Sequence, residues 1–133
     1  MMIQKQLSFL LSKFPFSVPV GYKWIIMQSL AGFEPNSALQ PWYFLPYEEI
    51  FLVNERWPFI EEHTQLYSFA RRQDCDDLAC FSLIDGILQP NVVVVHAWTP
   101  EGFEVSVRFK SFWDWLRNVV NDIEDWVEMY DKC

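Results

Sequence analysis

Ile3, Leu7, Leu10, Leu11 and Phe14 recur at the three- and four-residue spacing of one helix face, which predicts an amphipathic helix over residues 2–14, ended by Pro15. A second helical stretch is expected from Tyr22 to Ala31, with Trp24, Ile26, Met27 and Leu30 as its apolar set and Gly32 as its C-terminal cap. Trp42-Tyr43-Phe44-Leu45 is aromatic and strand-like, and Pro46 breaks it. Glu48 and Glu49 then open a short helical run through Ile50 and Val53, since acids favour a helix N-terminus.

Leu66 to Arg72 and Leu78 to Leu83 read as strands on either side of the turn Gln73-Asp74-Cys75-Asp76-Asp77, and Asp85-Gly86 marks the next turn. The unbroken run Val92-Val93-Val94-Val95 predicts a strand buried on both faces. Beyond Thr99-Pro100-Glu101-Gly102 the residues alternate. Phe103, Val105, Val107 and Phe109 point one way and Glu104, Ser106 and Arg108 the other, as in a hairpin with one wet face. Phe112, Trp115, Leu116, Val119, Val120, Ile123, Trp126, Val127 and Tyr130 fall on one helical stripe, with Trp126 and Ile123 expected to be buried against the sheet. Asp114, Asn118, Asp122, Asp125 and Glu128 lie opposite, and Ser111 with Asp114 has capping-box spacing. Helices first, then an antiparallel meander, then a closing helix make an α+β fold. It is a mostly antiparallel central sheet flanked by N-terminal helices and a C-terminal amphipathic helix, and residues 1–133 read as a single domain.

Composition narrows the function classes. The 133 residues are 51% hydrophobic and 18% aromatic, which excludes a disordered chain. A net charge of −8 leaves no basic stripe for phosphate, so nucleic acid is not an expected ligand and a basic protein partner is. Lys13 interrupts the first apolar run, and no stretch has the length of a membrane span, so a cytoplasmic protein is expected, with no membrane partner. Cys75, Cys80 and Cys133 form no CxxC pair and read as three reduced thiols, Cys80 being a small core residue.

No catalytic set converges in the sequence. A calcium loop beginning at Asp74 would need an oxygen side chain and then Gly where Leu78 and Ala79 stand, so the acidic turn reads as solvated and no metal or other cofactor is expected. His63 and His96 have no motif partners, and His96 reads as a hydrogen-bonded core or edge residue. There is no G-x-S-x-G elbow, and Gly21, Gly32, Gly86 and Gly102 are too scattered to cradle phosphate. Three neighbouring aspartates disfavour a Cys75 thiolate, and the chain as a whole does not read as an enzyme. What remains is surface. Glu61, Glu62, Asp74, Asp76, Asp77, Glu101 and Glu104 come from turns and edges of the predicted sheet, with Trp98, and Trp57 beside them, as aromatic anchors for a protein partner.

Three runs in the second half carry a family resemblance: Ser68-Phe69-Ala70-Arg71-Arg72-Gln73-Asp74-Cys75-Asp76-Asp77-Leu78-Ala79-Cys80-Phe81, Val92-Val93-Val94-Val95-His96-Ala97-Trp98-Thr99 and Arg108-Phe109-Lys110-Ser111-Phe112-Trp113-Asp114-Trp115-Leu116. With Trp42 to Leu45 and Glu48-Glu49-Ile50 upstream, they resemble the SUKH superfamily, the group related to the yeast Smi/Knr regulators of cell-wall synthesis. The resemblance covers residues 42–117 well and the first 40 loosely. It implies an α+β domain and a non-enzymatic role. Bacterial members are typically immunity proteins that neutralise toxins, often nucleases, of polymorphic or contact-dependent systems, and eukaryotic members are regulatory interaction modules. It implies a cognate toxin domain as partner, whose basic surface is expected from the net charge of −8, or else an endogenous protein bound by a regulatory or scaffolding module. It leaves open whether the chain also pairs with itself. No catalytic residue transfers from the family, and the acidic residues named above rest on charge alone.

Overall fold

The structure, a computed structural model, describes residues 2–30, 41–57, 63–75, 77–99 and 102–131. Helices α1 (Met2–Leu11) and α2 (Val20–Leu30) precede strand β1 (Trp42–Phe44), a 3-10 turn (Tyr47–Glu49) and the one-turn helix α3 (Val53–Arg56). Strands β2 (Thr64–Arg72), β3 (Asp77–Ile84), β4 (Ile87–Thr99) and β5 (Gly102–Phe109) follow, and helix α4 (Phe112–Asp131) closes the chain. The five strands form one antiparallel sheet in sequence order, the meander expected of an α+β fold whose last element is an amphipathic helix.

The sheet has a core on each face. On the helix side, Leu7, Phe14, Tyr22, Ile26, Trp115 and Val119 pack onto Phe44, Phe69, Phe81, Val92 and Val94. Much of that contact is between rings. Phe69 stacks on Phe81 at 4.2 Å, and Trp115 meets Phe69 edge-on at 5.0 Å, arrangements that add to the area they bury. On the other face Val53, Leu66, Leu78, Cys80, Val93 and Val95 form a smaller core. The valine run is therefore divided between two cores, alternate residues entering each, as a strand covered on both sides requires.

The second face is covered by the segment running from Ile50 into α3. The buried Ser68 hydroxyl sits between the Phe51 amide (3.3 Å) and the Phe51 carbonyl (3.2 Å). Asn54 donates to the Thr64 carbonyl and accepts from the Leu66 amide. The expected helical run from Glu48 to Val53 is thus interrupted. Ile50 to Leu52 is extended and bridges Tyr67, because those backbone contacts compete successfully with helix formation. Trp57, half-buried, packs against this second core.

Four other expectations are corrected. Regular helix in α1 ends at Leu11, and hydrogen-bonded turns carry the chain on to Phe14, which swings into the core. In α2, Tyr22 and Ile26 are buried while Trp24 is 54% exposed; Ala31 and Gly32 lie outside the described residues. In β5 the alternation fails at Ser106. Val107 lies opposite Val94 but Val105 lies opposite Val95, so one extra residue puts the two valines on different faces. Val105 and Val107 are 41% and 40% exposed, and both faces of this edge strand are wet. In α4, Phe112, Trp115 and Val119 are buried, Leu116, Ile123 and Trp126 are half-buried, and Val120 and Val127 face solvent. Val120 follows the fully buried Val119 and lies on the flank of the helix, so periodicity overstated the width of the buried face.

Candidate functional site

An antiparallel meander brings the end of β2, the start of β3, the end of β4 and the start of β5 to one end of the sheet. Trp42 pairs with Arg72, Asp77 with His96, and His96 with Glu104. Extending the Arg71–Leu78 pairing by one residue sets Arg72 opposite Asp77. One row of positions thus crosses all five strands: Trp42, Arg72, Asp77, His96, Glu104. Arg72, Asp77 and His96 stand two residues from Ala70, Ala79 and Val94 of the helix-side core, so the row continues that core into solvent as polar groups.

The row is tied together and to α4. His96 Nδ1 lies 2.9 Å from Asp77 Oδ1, which orients the ring. Arg72 Nε donates to Asp74 Oδ1 at 2.6 Å, and its Nη1 lies 3.4 Å from Asp122 Oδ2. The same Asp122 oxygen accepts from Trp42 Nε1 at 2.9 Å and from Asn118 Nδ2 at 3.2 Å. Asp122 was expected on the wet side of α4, yet its side chain is only 17% exposed. It stands at the margin of the buried arc, where Trp42 and Arg72 recruit it. Burial alone would loosen the Arg72 proton, but the hydrogen bond to Asp74 and the charges of Asp122 and Asp74 outweigh it, and the guanidinium stays firmly charged. The Cys75 thiol, in the turn beside them, is pushed up by burial first and then by the charges of Asp77 and Asp74, against an opposing backbone hydrogen bond from Asp77. Burial pushes Cys80 up as well. Neither is an activated nucleophile.

Asp74, Asp77 and position 104 therefore share one end of the sheet, and Trp98 is in β4 two residues past His96. Glu61, Glu62, Asp76 and Glu101 lie outside the described residues. His63, the first described residue after Glu62, sits at the opposite end of β2, where it pairs with Asp85 at 3.2 Å. Of the expected acidic rim, the described Asp74, Asp77 and position 104 fall at this one end of the sheet. His96 is hydrogen-bonded, as its sequence context suggests, but its partner Asp77 is set by register. Sequence reasoning missed Arg72, Asp122 and Trp42: only the β2–β3 register could have revealed the first, and no local pattern pointed to the contact between Trp42 and Asp122. Among the described residues, no group of three or more His, Cys, Asp or Glu side chains is arranged to hold a metal.

Behind the row, on the second face, a cleft of about 220 Å³ is lined by Leu45, Phe51 and Leu78 with Glu48, Glu49, Arg56 and Arg71. Arg56 lies over the Phe51 ring at 4.3 Å, a cation–π contact. This end of the molecule is therefore charged on both faces. Its chemistry is that of an ion-pairing surface, with three described carboxylates around one guanidinium and one imidazole. Within the described residues no helix is long and apolar enough to cross a membrane. Comparison with protein-family models, curated proteins and solved structures finds no match to this chain.

Proposed function

We propose that this chain is an immunity protein of the SUKH type, which binds and neutralises a cognate toxin with a basic surface, and that the polar end of the sheet is where it binds. The observation that carries this reading is the gathering of Asp74, Asp77 and Asp122 around Arg72 and His96 on adjacent elements, together with a net charge of −8. A toxin that grips phosphate is basic where it does so. A rigid acidic surface would steer toward that region and cover it. Aspartates already held by Arg72 and His96 lose little side-chain freedom on binding, which favours a tight complex. The role is binding rather than catalysis, and the reading places the protein in the bacterial cytoplasm.

Co-expression with the polypeptide encoded beside this gene tests the proposal. Rescue of growth together with a stoichiometric complex is expected. Asp74→Asn with Asp77→Asn should then slow association about tenfold at low salt and much less at high salt. A harmless neighbour that does not bind overturns the toxin reading. Rescue and binding with no salt dependence would leave the immunity role standing and remove the polar end from it.

A further inference from the structure

α4 carries two apolar lines. Phe112, Trp115 and Val119 form the buried one. The other is Trp113, Val120 and Val127, spaced seven residues apart, with the half-buried Leu116 and Ile123 set between them at alternating three- and four-residue steps. That is the seam spacing by which one helix packs along another. Trp113, Val120 and Val127 are 49%, 57% and 57% exposed. The seam begins at an apolar groove of about 390 Å³, lined by Pro19, Val20, Pro90 and Trp113 among others, where the first turns of α2 and α4 meet.

Charge selects the occupant. Glu124, exposed, lies four residues after Val120 and three before Val127, and Glu128 lies one turn further on. Across α4 there are six acids to one base, Arg117, which is engaged with Asp114 at 2.9 Å. Two copies of α4 laid seam to seam would set acids against acids. We infer that the outer seam of α4 docks an amphipathic helix of another protein, apolar along its contact line and flanked by Lys or Arg. Asp122 is two residues from Val120, about 200° round the helix, so this surface is separate from the polar end. It does not depend on the partner being a toxin.

The probe is a fluorescein-labelled synthetic helix with Leu at the seam positions and Lys on both flanks, compared with the same peptide carrying Glu on the flanks. In anisotropy titrations at low salt the Lys peptide should bind, and the Glu peptide at least about tenfold more weakly. Val120→Ser with Val127→Ser leaves the charge unchanged and should weaken the Lys peptide about tenfold, whereas Asp74→Asn with Asp77→Asn should weaken it less than about threefold. Thermal melts of the variants should superimpose on that of the parent, as substitutions at exposed positions allow. Failure of the Lys peptide to bind overturns the inference. So does equal binding of both peptides, or of the serine variant. A wild-type dimer in sedimentation that the serine variant abolishes also overturns it, because the seam would then belong to a second copy.

Discussion

The two ends of the sheet are finished in opposite ways. At one, the helix-side core runs out into Arg72, Asp77 and His96, and α4 reaches down with Asp122 to close a network over Trp42. At the other, the β3–β4 turn presents Ile84 and Ile87 to solvent beside Asp85 and Gly86, and α2 and α4 begin with Val20 and Trp113 exposed. A buried-edge network of hydrogen bonds and charge pairs joins sheet to helix at the first end. At the second the ion pair is the exposed His63–Asp85 contact, and helix meets helix by close approach of backbone to rings, since a Cβ on Gly21 would come within 2.8 Å of Phe112 and 2.9 Å of Trp113. The difference teaches that one small sheet can present two surface chemistries, emerging as paired ions at one end and as exposed apolar side chains at the other.

The largest way to break this contrast is to remove what joins the ends. Trp115 is fully buried midway, between Trp42 at 5.5 Å and Phe112 at 5.6 Å. Trp115→Ala should cost about 3–5 kcal/mol in urea unfolding. Trp126, only half-buried, should cost well under that on truncation. The polar end is next. Asp122→Ala leaves the Trp42 indole N–H buried without its acceptor and removes a partner from Arg72, a loss of about 2 kcal/mol in the same measurement. At the ring end, Gly21→Ala gains up to about 1 kcal/mol of helix propensity but overpacks against Phe112 and Trp113 by about 1–3 kcal/mol. A net loss of about 1 kcal/mol is expected, and a stabilised variant would show that the rings yield. The smallest effect is on reactivity. With its thiol pushed up by burial and by Asp77 and Asp74, Cys75 holds less thiolate at pH 8 than a free cysteine. Its alkylation by iodoacetamide, followed by peptide mass mapping, should be slower than that of a free thiol and should speed up in Asp74→Asn with Asp77→Asn.

What the sequence made legible was local. The strands, the acidic turn, the Asp85-Gly86 turn and both flanking helices follow from patterns a few residues long, and each is present. What it concealed depended on alignment between distant segments. Asp122 looked solvent-facing because a period of 3.6 places it at the edge of the apolar arc, and only Trp42 and Arg72, at least fifty residues away in the chain, turn it inward. Val120 and Val127 looked like core because periodicity carries no information about how wide an arc of the helix its neighbours cover. Arg72, Asp77 and His96 became neighbours through register, which a single irregularity can shift, as Phe69 does between Ser68 and Ala70.

The extra residue in β5 has a bearing on solubility. β5 is a sheet edge, and Phe-Glu-Val-Ser-Val-Arg-Phe would, if flat and strictly alternating, present a continuous apolar ladder for strands of other molecules to join. Ser106 prevents this by turning Val105 and Val107 to opposite faces, so that neither face of the edge carries an unbroken apolar row. Paired without that irregularity, the same residues would set Val105 and Val107 on one face of the edge strand, with composition and charge unchanged. The irregularity thus acts against aggregation at β5, the long edge strand of the sheet among the described residues.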